Sequence, residues 1–266
     1  MGNEGLAVER AETGISVEVR EEVTYLRIDG PQRLNALSTA CIRMLARELE
    51  AARESSAVVI TGVGRAFCTG ADLGTEVTAQ TVDAAGELVE LIAAVPPPVL
   101  AAVNGPAAGV GASIALACDL VLAAESAFFL LPFLPLGLVP DGGATHSVVA
   151  GAGRARAARM AFAGERIPAA LAAEWGLVGE VVPDDDLDAR VVELLDRICS
   201  APREAAVQTK ELLRAADRQA LAGAVQRELA VQADLLASAE YALAREGFLA
   251  RKPVDFRAVR SGGGVV

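Results

Sequence analysis

Histidine is nearly missing from this chain: His146 is the only one, and the four cysteines (Cys41, Cys68, Cys118, Cys199) are scattered without a C-x-x-C pair. So few soft ligands at such spacing exclude a structural zinc site, and no metal is expected. The cysteines read as buried free thiols of a reducing compartment, not as a disulfide framework. Lysine is scarce too, with only Lys210 and Lys252, and no basic run or stripe occurs in a sequence of net charge −11. Without clustered cations to neutralise phosphates, nucleic acid is excluded as a partner. No apolar run reaches the roughly 20 residues that a bilayer span requires. The opening residues, MGNEGLAVERAETG, carry charge where a secretory signal needs an apolar stretch. A soluble, cytoplasmic protein with no membrane partner is expected.

Apolar residues, by contrast, are abundant: 53% of 266 residues suffices for a sizeable core and argues against disorder. The sequence reads as a flexible leader over residues 1–14, an α/β core over 15–200 and a helical C-terminal region over 201–266. Ile15–Val19 and Val23–Ile28 alternate apolar with polar residues around Arg20-Glu21-Glu22, which predicts a hairpin. Ser38 stands where an N-cap belongs, ahead of a helix to about Arg53 with apolar positions at Cys41, Ile42, Leu45, Ala46 and Leu49. Short strands are expected at Ala57–Ile60, Val99–Val103, Leu120–Ala123 and Val178–Val182. A helix over Val82–Val95 is stopped by Pro96-Pro97-Pro98. Residues 74–80 read as a mobile polar loop. Beyond Asp184 the pattern is helical, with breaks expected at Ala201-Pro202 and near Gly223. An apolar helical layer of this kind is expected to pack on another subunit.

Two stretches carry the chemistry. Residues 101–119, AAVNGPAAGVGASIALACD, run from a buried strand through a small-residue turn into a helix start. That order gathers unpaired N–H groups and the positive end of a helix dipole at one point, suited to an anion or a developing oxyanion. Close strand–helix packing is the plainer reading of the same residues. Residues 61–73, TGVGRAFCTGADL, end in Gly70-Ala71-Asp72, where small side chains let backbone N–H groups approach a ligand. A third feature is Asp141, after an apolar segment and directly before Gly142-Gly143. It is either the N-cap of a helix from about Gly142 to Val149 or an acid–base group whose pKa apolar walls raise. His146, five residues on, is expected to pack or face solvent.

Four segments together carry a specific resemblance: residues 31–37 (PQRLNAL), 64–73 (GRAFCTGADL), 101–109 (AAVNGPAAG) and 172–178 (AAEWGLV). In order and spacing they resemble the enoyl-CoA hydratase/isomerase (crotonase) family over roughly residues 15–258. The resemblance implies an α/β spiral of ββα units with a helical C-terminal trimerisation region, assembled as a homotrimer or a hexamer. It implies an acyl-CoA thioester as substrate, with coenzyme A part of that substrate and no separate cofactor. Carried over position by position, it places two oxyanion-hole donors on the backbone of Ala71 and Val110, each such donor being worth about 2.7–4 kcal/mol. Val110 stands where the family commonly has glycine, which narrows the pocket but leaves the donor. Arg33, Leu34, Ala66, Gly70, Asp72, Leu73, Gly109, Ser113, Pro132 and Phe133 fall on substrate-site positions, and Lys252 on a CoA-phosphate position. Asp72 and Asp119 read as structural acceptors more than as catalysts.

The departures from the pattern set the expected reaction. Hydratases of the family activate water with two glutamates, and those positions hold Ser113 and Phe133 here. Asp141 stands where some isomerases of the family place an acid and where its halobenzoyl-CoA dehalogenases place a nucleophile. The latter pair that aspartate with a tryptophan at the position of Phe133. The resemblance therefore implies an enoyl-CoA isomerase in which Asp141 moves a proton between C2 and C4. A non-catalytic acyl-CoA-binding homologue and another crotonase-type reaction, such as hydration, are the alternatives.

Overall fold

A computed structural model describes residues 9–10, 14–252 and 254–260. The hairpin forms as expected, from β2 (Ile15–Arg20) and β3 (Val23–Ile28), with Glu21 at φ 53 making the turn. Ahead of it β1 (Glu9–Arg10) pairs antiparallel with β2, so part of the expected leader joins the sheet; the rest of the leader lies outside the described residues. The helix α1 (Thr39–Ala51) starts at Ser38, whose side chain accepts the Cys41 N–H, and buries Ile42, Leu45 and Leu49 along one face.

Four further strands, β4 (Ala57–Gly62), β5 (Val99–Val103), β7 (Leu120–Ala124) and β10 (Glu180–Val182), extend the sheet in parallel. The sheet order is β1-β2-β3-β4-β5-β7-β10. The sequence of β5, VLAAV, is apolar on both faces because both faces are covered, as in other parallel sheets. A small second sheet joins β6 (Ala107–Ala108), β8 (Phe128–Leu130) and β9 (Ile167–Pro168). Between β5 and β7 the chain dips through β6 and α3 (Val110–Ala117). The excursions after β4, β5 and β7 thus reach the small sheet, the first through a bridge from Cys68 to Ala107.

Helix α2 (Ala79–Ala94) begins three residues before its expected start, and Pro96 follows its C-cap Val95. The earlier start is held by the Thr81 hydroxyl, which accepts the Thr78 N–H. Beyond Asp141 come α4 (Ala144–Ala152), α5 (Arg154–Ala163) and α6 (Ala169–Glu174). The last five helices are α7 (Leu187–Cys199), α8 (Arg203–Ala215), α9 (Arg218–Leu236), α10 (Ala239–Leu249) and α11 (Phe256–Arg260). The break expected near Gly223 does not occur. The helix runs through that glycine because Leu221, Ala224 and Val225 are buried on either side, which offsets a cost of about 1 kcal/mol. The chain breaks instead at Ala216-Asp217, between α8 and α9.

The C-terminal helices are anchored to the core by buried charge. Lys210 on α8 donates to the carbonyls of Ile92 and Pro97 and pairs with Asp119 at 2.8 Å, and Arg214 reaches the same carboxylate. Burial pulls the Lys210 ammonium down from its ordinary pKa, and Asp119 opposes that pull. Helix α9 lies across α2 and α4, close enough that a Cβ on Gly86 would come within 2.5 Å of Val225. This contact brings the far end of the chain against the motifs of its first half.

Candidate active site

Two loops meet at the edge of the sheets. Leaving β4, the chain makes a parallel bridge at Cys68 to Ala107, with the Cys68 N–H donating to Pro106 and the Ala108 N–H to Cys68. Three residues on, Ala71 bridges Leu37. In a parallel bridge the bonds to Leu37 come from the neighbours of Ala71, here the Gly70 carbonyl and the Asp72 N–H. The N–H of Ala71 itself therefore points away from Leu37. Asn35, fully buried, holds the rest of the loop by donating its amide to the carbonyls of Val63, Ala66 and Phe67.

Val110 is the first residue of α3, so its N–H is one of those that no helical carbonyl satisfies. Its N-cap, Gly109, has φ 54 and ψ −131, a conformation suited to glycine. The loops touch here: a Cβ on Gly70, which has φ 105, would lie 3.1 Å from the Ala108 carbonyl oxygen. A Cβ on Gly111 would lie 2.3 Å from the Cys68 carbonyl oxygen. The N–H groups of Ala71 and Val110 thus sit on adjoining backbone, and neither has a hydrogen-bond partner among the described residues. Such a pair, with the dipole of α3 behind one member, is suited to an oxygen on which negative charge develops.

Asp141 does not cap α4: that helix starts at Ala144, with Gly143 as its N-cap. Two consecutive left-handed glycines, Gly142 at φ 62 and Gly143 at φ 75, carry the chain from Asp141 into the helix and detach the aspartate side chain from the helix end. The capping is done from a distance by Glu228 on α9, whose carboxylate accepts the N–H groups of Gly143 and Thr145 at 2.6 and 2.9 Å. Asp141 is 7% exposed. Its backbone carbonyl accepts the Ser113 hydroxyl at 2.7 Å, and its Oδ2 accepts the side-chain amide of Gln232 at 2.9 Å. Burial pushes its carboxyl up from 3.8 to about 7; the Gln232 bond opposes the rise and the nearby Glu228 charge adds to it.

A cavity of about 240 Å³ joins these features. Among its lining residues are Gly70, Ala71, Leu73, Gly109, Val110, Pro132, Phe133 and Asp141, all singled out from sequence. The walls are apolar, with Ile42, Val82, Leu136, Leu138 and Leu236 prominent, and Asp141 is the one carboxylate among them. Phe133 approaches the double loop: a Cβ on Gly109 would lie 3.9 Å from its ring edge.

Six residues expected at the substrate lie outside this lining. Ser113 is buried beneath it, engaged with the Asp141 and Gly109 carbonyls. Ala66 is buried behind the loop, and Leu34, at φ 53, accepts the Thr69 hydroxyl through its carbonyl. Arg33 is turned to solvent and pairs with Asp72 at 2.9 Å, while the other Asp72 oxygen caps the Gly74 N–H. Lys252 is exposed beyond α10. His146 pairs with Asp217 on the far side of α4 and does not line the cavity.

Gln232, Leu236 and Phe248 reach the cavity from α9 and α10, and sequence reasoning missed all three. The one available signal was the i, i+4 placement of Glu228 and Gln232 among apolar residues, two polar groups on a face that must be buried. Arg245 also acts from α10: its guanidinium donates to the carbonyls of Leu73 and Thr75 and pins the first part of the loop expected to be mobile.

Comparison with known proteins gives three consistent findings. Residues 18–258 match the family model described as enoyl-CoA hydratase/isomerase. Among curated proteins, a probable enoyl-CoA hydratase of Rhodobacter capsulatus is 38% identical over 91% of this chain and 97% of its own. The 1,2-epoxyphenylacetyl-CoA isomerase of Escherichia coli is 34% identical over 90% of this chain and 96% of its own. Among solved structures, an enoyl-CoA hydratase from Mycobacterium avium subsp. paratuberculosis superposes with a TM-score of 0.86 at 42% identity, covering 91% of this chain and 98% of the other.

Proposed function

The chain belongs to the enoyl-CoA hydratase/isomerase family and is an acyl-CoA enzyme with the crotonase fold; on that premise we propose that it is an isomerase, moving a 3-enoyl-CoA double bond to the 2 position. The observation that carries this reading is that Asp141 is the one carboxylate among the described residues lining the cavity; the family resemblance adds that Ser113 and Phe133 stand at the positions of the two hydratase glutamates. One carboxylate suffices for a 1,3-proton shift, whereas hydration requires a water held and activated by more than one group. The relative named as an epoxyphenylacetyl-CoA isomerase supports an isomerase assignment, and the relatives named as hydratases make hydration the reading to be tested against it.

In this reaction the thioester oxygen accepts the N–H groups of Ala71 and Val110, which acidifies the C2 protons. The Asp141 carboxylate removes one of them, and the electron pair of that C–H bond moves into the C1–C2 bond, placing charge on the thioester oxygen as a dienolate conjugated with the C3–C4 double bond. The oxyanion donors stabilise that charge. The new carboxylic acid returns the proton to C4, the double bond settles between C2 and C3, and Asp141 is again ionised. A carboxyl at about 7 suits both steps, since it takes and gives the proton at neutral pH with little mismatch.

The remaining roles are proposed on the same premise. CoA enters as part of the substrate, with exposed Arg33 and Lys252 as its ionic contacts, and no separate cofactor takes part. The chain assembles as a homotrimer or a hexamer, consistent with Leu212 and Leu213 on α8 being 76% and 75% exposed.

The deciding experiment follows 3-enoyl-CoA conversion to the conjugated thioester by wild type and Asp141→Asn. Conversion that falls at least a hundredfold in the variant supports the assignment. Binding of acyl-CoA without conversion by wild type points to a binding protein, and faster hydration of a 2-enoyl-CoA than isomerisation refutes it.

A further inference from the structure

Gln232 has every polar atom of its side chain committed. Its Oε1 accepts the Val139 N–H at 3.0 Å, and its Nε2 donates to the Val139 carbonyl and to Asp141 Oδ2, both at 2.9 Å. The Val139 N–H fixes which end of the amide is oxygen, so the group facing Asp141 must be the NH₂. Both of its protons are then used, one on backbone and one on the carboxylate. Gln232 is 1% exposed, and its own helix is held in place by Glu228 one turn earlier, which accepts from Gly143 and Thr145. The residues flanking Asp141 are therefore gripped on both sides by α9, at Val139 through Gln232 and at Gly143 through Glu228. The Ser113 hydroxyl holds the Asp141 carbonyl from α3.

We infer that Gln232 is the positioning residue for the Asp141 base: it anchors Oδ2 and leaves Oδ1, which has no partner among the described residues, as the oxygen presented to substrate. A carboxyl that must take a proton at C2 and return it at C4 has to keep one orientation through both steps, and a single anchored oxygen provides that. The amide is neutral, so it orients the carboxylate without neutralising it as a lysine or arginine would. By donating to the ionised form it also offsets part of the burial that favours the acid. The charged groups bearing on Asp141 are few: Glu228 of α9 raises its proton affinity, and Arg227 of the same helix acts on Glu228. This inference rests on the isomerase reading for its catalytic meaning and on the hydrogen-bond geometry for its physical content.

The test uses Gln232→Met, which keeps the length of the side chain and removes both donors. In the full-length protein, the Asp141 carboxyl is titrated by carbon-13 NMR with labelled aspartate, assigned by the signal lost in Asp141→Asn. The pH profile of kcat/KM is measured on a 3-enoyl-CoA alongside. The expected result is an Asp141 titration midpoint at least one pH unit above that of wild type. The acid limb of kcat/KM moves by the same amount, a fall of about tenfold at pH 6. The plateau kcat also falls at least threefold, with KM within twofold. A titration curve and profile that superpose on wild type, with only thermal stability lowered, would overturn the proposal and make Gln232 a structural clamp. If the methionine variant does not fold, Gln232→Asn, which keeps a neutral amide but shortens its reach by one methylene, is read in the same way. A shifted titration in an enzyme that never turns over 3-enoyl-CoA would retain the anchoring of Asp141 and reject the isomerase reading alone.

Discussion

A buried carboxylate has a stability cost that can be measured independently of catalysis. In the folded chain Asp141 titrates at about 7 instead of the ordinary 3.8, with burial as the main cause. Between these two pH values the folded protein holds a proton that the unfolded chain has released. The unfolded state then binds fewer protons, so stability must fall as pH rises through this window. At 1.36 kcal/mol per pKa unit the loss totals about 4 kcal/mol by pH 8, a large part of the stability of an ordinary domain. Asp141→Asn removes the titration and retains an oxygen for the Gln232 amide, so the variant escapes the loss. Urea denaturation of both proteins at one protein concentration, from pH 4.5 to 8.5, checks this. Other titrating groups cancel in the difference between the two. The expected stability advantage of Asp141→Asn is about 1 kcal/mol at pH 4.5 and rises to about 4 kcal/mol at pH 8.5. A difference that stays constant across the range would refute the argument, because it would mean that the site does not disfavour the Asp141 charge. The same variant is expected to be inactive, so stability and activity should move in opposite directions.

Gly70→Ala forces a side chain onto a left-handed backbone 3.1 Å from the Ala108 carbonyl oxygen and displaces the Ala71 donor; kcat should fall about 10²- to 10³-fold, the loss expected for one oxyanion donor. Glu228→Gln removes a negative charge beside Asp141, so the acid limb of kcat/KM should move to lower pH. The weakened caps at Gly143 and Thr145 should also lower stability by about 1–2 kcal/mol, read from the urea midpoint. Asn35→Ala leaves the carbonyls of Val63, Ala66 and Phe67 without their donor and places alanine at φ 60, costing about 2–4 kcal/mol by the same assay. Lys210→Met leaves Arg214 as the one cation on Asp119 among the described residues and strips a donor from two buried carbonyls; a cost of about 3–5 kcal/mol is expected.

Much of this protein is legible without its coordinates, and the reason is local. The hairpin, the Ser38 cap, the proline stop after α2 and the apolar β5 all follow from interactions within a few residues of each position. The two small-residue loops are recognisable for the same kind of reason, since glycine at Gly70 and Gly109 answers a backbone requirement at that position. Local signals also misled: Gly223 looks like a helix break and is not one, because burial of its neighbours against α2 and α4 outweighs its propensity. Asp141 looks like an N-cap and is not one, because two left-handed glycines separate it from α4.

Sequence alone determined the family, and the family resemblance led to the proposal of backbone donors at Ala71 and Val110 and of Ser113 and Phe133 at the positions of two glutamates. Tertiary structure decided what those replacements do. Ser113 holds the Asp141 carbonyl, and Phe133 walls the cavity beside the two small-residue loops. Only the folded chain shows that Glu228 and Gln232, some 90 residues downstream, cap the next helix and anchor the aspartate. A residue's own backbone neighbours carry its conformational preferences, but the proton affinity of a carboxyl depends on what surrounds it in space. For Asp141 those surroundings come from α3, α9 and the apolar walls, which only the packing of distant helices assembles.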